Sequence, residues 1–228
     1  MRLTPYPDTR FSEHLQKLYP ALRSAIEACV VQSKTVKRGE PLLEQGQRVS
    51  QLVLVSQGKV SLHTSTINGR RFFLGEVRCN DDLFGEIEFL TADPCQWSVI
   101  AATEAEIRII DANKLQQQLM QQPMLSLFFS AGLAVDYHES LAIYTSRLLH
   151  PIAYNIAFDL WQRHHNPGNL EACNNLEQEA ERFGTSARAY RRALKTLTDE
   201  GIVEKSGRTL TVPCWQKLQQ YLSRADVD

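Results

Sequence analysis

The stretch GTSARAYRRALKTLTDEGIVEKSGRTLTV, Gly184 to Val212, crowds Arg188, Arg191, Arg192 and Lys195 into eight residues of a chain whose formal net charge is -1. Arginine and lysine are good helix formers, and most charge runs are solvated faces with no specific partner. The setting argues for more here. Leu176, Ala180 and Phe183 fall three and four apart, which packs one face of a short helix ending at Gly184, a residue suited to a left-handed turn. Ser186 is placed to cap a second helix. At 3.6 residues per turn that helix gathers Tyr190, Ala193, Leu194 and Leu197 on one side and the four cations on the other. Ile202–Val212, turning at Ser206-Gly207, then reads as a hairpin, and two helices about a glycine turn followed by a hairpin make a winged helix-turn-helix.

Electrostatics favours a binding face over a solvated one. Arg188 occupies the first turn of its helix, where the macrodipole is positive and an acidic residue is preferred. From Arg182 to Arg208 there are seven basic residues against three acidic. Such an excess suits phosphates and guanine edges. Ser186, Arg188, Arg191, Arg192, Lys195, Lys205 and Arg208 are the candidate DNA-binding residues. Double-stranded DNA is therefore the expected partner.

The chain's 228 residues, 43% hydrophobic and 22% charged, are ordinary globular composition for two domains. Its near-zero net charge confines any nucleic-acid site to a local patch. MRLTPYPDTRFSEHLQ has no apolar signal core, and the longest apolar run, Met124 to Val135, is too short and too interrupted to span a bilayer. The expectation is a cytoplasmic protein with no membrane association. Cys29, Cys79, Cys95, Cys173 and Cys214 are scattered, which reads as reduced structural thiols.

From Ser33 to Asp111 short β-branched and leucine-rich runs are punctuated by Gly39, Gly46, Gly58, Gly69 and Gly85. Gln51–Thr64 is apolar at alternate positions on both sides of Gln57-Gly58, and Asn68-Gly69 is a hairpin signal. An antiparallel sandwich or roll is the economical reading. Asn113–Gln121 reads as a short helix and Leu125–Leu149 as one long helix with more apolar residues than one buried face needs. Leu127, Phe128, Ala131, Val135 and Leu141 are assigned to a seam with a second copy. Pro151 opens a further helix, Ile152–His164, which His164-His165-Asn166-Pro167-Gly168 ends. The expected division is 1–122, 123–150 and 151–228, in an α+β fold.

KRGEPLLEQGQ, LVLVSQGKVSL, FGEIEFL with Gly85 and Glu86, a long helix, and FGTSARAYRRALKTLTDEGIVEKSGRTLTV follow one another in this order. In order and spacing they resemble the bacterial transcription regulators typified by the cyclic-AMP receptor protein and the fumarate and nitrate reduction regulator, the CRP/FNR family. GEIEFLTADP looks closest to its YeiL branch. The resemblance implies an N-terminal cyclic-nucleotide-binding-like β-roll (a jelly roll), a long dimerisation helix and a C-terminal winged helix, acting as a homodimer on a palindromic operator, with RNA polymerase as a further partner. It places the ligand pocket at Gly85, Glu86, Gln96 and Trp97.

The departures matter as much. Nucleotide-binding members hold the cyclic phosphate with an arginine ten residues after the cassette glutamate, followed by a small hydroxyl residue; here those positions are Gln96 and Trp97. The charge-assisted contact is lost and an indole adds bulk, so cyclic AMP is disfavoured. An iron-sulfur cluster needs four well-placed thiolates, and Cys29, Cys79 and Cys95 do not supply them. His63, alone in the roll, does not argue for haem or for a catalytic metal. No cofactor is expected and the effector is not legible. There is no P-loop, no G-x-S-x-G and no H-E-x-x-H, so no enzyme is expected. The alternative is a cyclic-nucleotide or other small-ligand sensor whose winged helix acts mainly in protein–protein interaction.

Overall fold

The structure, a computed structural model, describes the whole chain except residues 67, 69–70, 166–169, 172–174, 207–208 and 226–228. Its elements fall into two compact units, Met1–Thr64 with Arg78–Ser140, and Ser65–Val77 with Leu141–Asp228.

The first unit opens with α1, Ser12–Cys29, an amphipathic helix the periodicity reading above does not include. Leu15, Leu22, Ala25, Ile26 and Cys29 recur on its buried face, while Pro20 sacrifices one ladder bond on the way. β1 (Val30–Val36) follows, then β2 (Pro41–Leu43), β3 (Gln51–Ser65), β4 (Arg71–Cys79), which groups with the second unit up to Val77, and β5 (Asp82–Phe84). A short helix α2 (Glu86–Thr91) leads to β6 (Ser98–Ala101), β7 (Ala105–Asp111) and α3 (Ala112–Gln121). Asp111 caps α3 by accepting from the Lys114 N–H at 2.9 Å. A single 3-10 turn, Pro123–Leu125, then starts α4, Ser126–Leu149.

The strand pairs whose register is described are antiparallel, as alternation and turn spacing predict. β7 lies between β1 (Val30↔Ile110, Val36↔Ala105) and the first half of β3 (Leu52↔Ile110, Val55↔Ile107). The second half of β3 pairs instead with β6, from Val60↔Ala101 to His63↔Ser98. The change of partner happens at Gly58. This glycine is no turn between two strands; it sits inside one bent 15-residue strand with φ +131°. A Cβ there would lie 2.6 Å from the Ala105 Cβ, so the close approach itself excludes a side chain.

Leu52 and Leu54 of β3 point to a cluster that holds Leu15, Leu22 and Ile26 of α1 and Leu125, Phe128 and Phe129 at the start of the long helix. Each such side chain contributes about 1.5–3 kcal/mol of burial. Phe128 was expected at a seam between copies, but it is only 3% exposed within its own core. Phe128 and Phe129 both turn inward because the first turn of α4 is covered on one side by α1 and on the other by the roll.

The second unit contains the end of α4, then α5 (Ile152–His165), β8 (Leu170–Glu171), α6 (Leu176–Arg182), α7 (Ala187–Asp199), the pair β9 (Glu204–Ser206) and β10 (Thr209–Thr211), and α8 (Trp215–Ala225). Buried Asn155 ties α4 to α5: its side chain meets the Ser146 hydroxyl at 2.8 Å and donates to the His150 carbonyl at 2.9 Å. Tyr154, Ile156, Tyr190, Leu197, Val203 and Leu218 form the core. The residues of α4 are divided between the two units, Ser126–Ser140 grouping with the roll, whose core takes in Phe128 and Phe129, and Leu141–Leu149 with the helical unit.

Candidate functional site

The two-helix turn is assembled from local chemistry. Asn175 caps α6, accepting from the Glu177 N–H at 3.0 Å. Gly184 takes φ +62° with open space where a Cβ would lie, so its left-handed conformation alone calls for glycine. The Gly184 and Thr185 N–H groups return to Glu181 and Ala180 carbonyls at 2.9 Å each. Ser186 then caps α7, its hydroxyl accepting from the Ala189 N–H at 3.2 Å. Tyr190, Ala193, Leu194 and Leu197 are buried, while Arg188, Arg191, Arg192 and Lys195 are all exposed, together with Ser186. At the far end Lys217 of α8 donates to the Glu200 carbonyl at 2.6 Å, closing a helix terminus that cations favour.

The wing pairs Lys205 with Leu210 and Glu204 with Thr211. Lys205 is exposed. Arg208 and the Gly207 turn lie outside the described residues.

Arg182 does not belong to the exposed set, although it was counted in the basic excess. It is 1% exposed and forms a paired contact with Asp159 of α5, 2.6 Å at each oxygen, and a 3.1 Å bond to Glu179. Arg163 adds a contact to Asp159 at 2.5 Å. Burial alone would push the Asp159 carboxyl up, but Arg182, its hydrogen bonds and Arg163 outweigh it and hold the carboxyl below its ordinary value. The same attraction, working against burial, raises the Arg182 guanidinium above its ordinary value. This network fixes α5 to α6 directly beneath the recognition face. The signal missed was Glu179, three residues before Arg182 on one helix face.

At the cassette, Gly85 (φ +90°) starts α2 and Glu86 is 7% exposed. The Glu86 carboxylate accepts from the Met1 amino group at 3.0 Å, and that amino group also donates to the Leu83 carbonyl at 2.8 Å. Leu3 and Tyr6 are buried beside it, and the Tyr6 hydroxyl reaches Asp136 of α4 at 3.5 Å. Burial pushes the Asp82 and Asp136 carboxyls up, and pushes Tyr6 up to about 12. Gln96 is exposed and its N–H donates to Glu88 at 3.1 Å; Trp97 is half-buried. Glu86 therefore faces inward while Gln96 faces solvent. His63 meets the Ser61 hydroxyl at 2.9 Å. Among the described residues no group of three or more His, Cys, Asp or Glu side chains could hold a metal ion, and no helix is long and apolar enough to cross a membrane.

Residues 33–122 match the cyclic nucleotide-binding domain family. Over 186 residues, 81% of this chain and 75% of the relative, the sequence is 26% identical to a CRP-like cAMP-activated global transcriptional regulator of Mycobacterium tuberculosis. Among solved structures, a CooA protein of Carboxydothermus hydrogenoformans shares 18% identity with a TM-score of 0.69, over 97% of this chain and 100% of that one. The c-di-GMP responsive global regulator CLP of Xanthomonas campestris shares 16% identity with a TM-score of 0.68, over 85% and 98%. Residues 33–122 thus carry a cyclic nucleotide-binding domain, and the chain as a whole, with a long helix and a winged helix following that domain, is similar to CRP-like transcriptional regulators in sequence and in fold.

Proposed function

We propose that this protein is a sequence-specific DNA-binding regulator, acting as a homodimer on a palindromic operator, whose sensor domain does not respond to cyclic AMP. The observation that carries the reading is the outer face of α7. Four cations project from a helix whose start is fixed by a glycine turn and a serine cap, and whose preceding helix α6 is tied to α5 by buried ion pairs. Two such helices related by a two-fold axis read half-sites centred about one helical turn apart, about 34 Å.

Arg188 opens α7 and Arg192 lies one turn on, which suits them to base edges near the helix N-terminus, where a guanidinium donates to guanine O6 and N7. Arg191, Lys195, Ser186 and Lys205 flank them and suit phosphates. Selection from random duplexes tests this. Arg188→Ala is expected to relax one position of the selected sequence at a cost of about 1–3 kcal/mol, and Lys195→Ala to weaken all sequences alike and flatten the salt slope. An unchanged selected sequence for Arg188→Ala removes that residue from base reading. A wild-type protein whose partner binding is insensitive to salt would instead make the winged helix a protein-binding module.

The ligand reading rests on Gln96 and Trp97 at the phosphate-anchor positions, where no guanidinium is available to the cyclic phosphate. Cyclic AMP and cyclic GMP are expected to leave the melting temperature unchanged at physiological concentration. Stabilisation that grows with ligand concentration, as linkage demands, overturns the reading.

A further inference from the structure

A segment of the roll's sequence is built into the helical unit. Residues Ser65–Val77 group with Leu141–Asp228, and β4 pairs antiparallel with β8 at Glu76↔Glu171 and Val77↔Leu170. A second link runs through side chains. Arg147, in the last turn of α4, places its guanidinium carbon 5.9 Å from the centre of the Phe72 ring of β4 and 5.4 Å from that of Phe183. Both distances are within reach of a cation held over an aromatic face. Phe183 immediately precedes the Gly184 turn, and its ring lies 5.6 Å from that of Tyr190 on the buried face of α7. Phe72, Arg147, Phe183 and Tyr190 thus form a continuous path from β4 to the recognition helix.

Arg147 is not comfortable where it sits. Burial first, and then the like charge of Arg182, pull it down to about 10. Asp159 and Glu179 attract it in turn, so these carboxylates and the two ring faces together hold the cation in place.

We propose that the Phe72–Val77 part of β4 is a strap, and that Phe72 acts through Arg147 and Phe183 to set the local order of the turn between α6 and α7. β4 continues through Arg78 and Cys79 toward the cassette at Gly85 and Glu86, so a change there has a covalent route to the strap. The strap's role in regulation rests on the reading of α7 as the DNA-binding element; its mechanical role does not.

Hydrogen exchange on the full chain separates the two. Phe183, Gly184 and Thr185 donate their N–H groups to Glu179, Glu181 and Ala180, and report the order of the turn. Phe72→Leu keeps an apolar side chain but removes the ring face, and Arg147→Gln removes the cation. Each is expected to speed exchange at these amides about tenfold, with the β7 amides of Ile107 and Ile109 unchanged, while Phe72→Tyr behaves as wild type. Unchanged protection of the turn in Phe72→Leu, an equal loss in Phe72→Tyr, or a loss spread over β7 as well overturns the strap. Failure of the wild-type protein to bind any duplex sinks the reading of α7 instead, and leaves the exchange result to decide the strap.

Discussion

Arg182→Ala is expected to destabilise the helical unit by about 3–5 kcal/mol, the cost of leaving buried carboxylates without their cation. Asp159 and Glu179 both lose the Arg182 guanidinium and keep Arg163, at 2.5 Å and 3.7 Å, which compensates only in part. The penalty belongs to the orphaned charges, so Arg182→Met with Asp159→Asn is expected to recover much of it. Acid supplies a sign test. In the wild type the Asp159 carboxyl is held below its ordinary value, so the stability it confers is fully present above the unfolded value, about 3.9, and is lost as pH falls through the folded one. In Arg182→Ala the desolvated carboxyl is left to rise, and acidification from neutrality should relieve part of the damage. Thermal melts of both proteins between about pH 7 and pH 4 measure this, and a parallel decline in both excludes the network as the source.

Leu141→Glu is expected to convert a dimer to a monomer. Ala134, Tyr137, Leu141, Tyr144 and Leu148 are exposed on α4 at alternating spacings of three and four, with Tyr137 67%, Tyr144 61% and Leu148 66% exposed. That spacing averages the 3.5-residue repeat of a left-handed coiled coil, and large exposed apolar residues in one line mark a surface that is covered. The seam proposed is therefore shifted toward the C-terminal half of the helix. Leu127, Ala131 and Val135 are half-buried, and Phe128 has no surface to give. An unpaired carboxylate from each chain costs several kcal/mol on burial, so the dissociation constant should rise by about three orders of magnitude. Light scattering at micromolar concentration reads it. A wild-type monomer, or a Leu141→Glu dimer of unchanged affinity, overturns the arrangement.

The parts of this architecture legible in the sequence are those whose cause is local. Gly184, Ser186 and the three-and-four spacing of Tyr190, Ala193, Leu194 and Leu197 are each sufficient for what they do, and the structure places them as read. Phe128 was misplaced because almost every position in the first half of α4 is apolar; periodicity then has no polar side to orient it, and only the presence of α1 decides. Arg182 was misread for the converse reason, since a charge looks solvated until the carboxylates that neutralise it, one of them on another helix, are brought close. Gly58 looked like a turn because glycine marks both turns and bends, and the Ala105 backbone that distinguishes them arrives from far along the chain.

The register of the roll has a kinetic side. β1 meets β7 through Val30↔Ile110, and β3 must find both β6 and β7 before both of its halves are paired. Such pairings demand closure of long loops before any contact rewards it, whereas the turn and caps of α6 and α7 form between near neighbours in sequence. The helical reader is the part of the chain that topology lets form early, and the roll, with its late and long-range strand pairing, is the part whose search sets the pace.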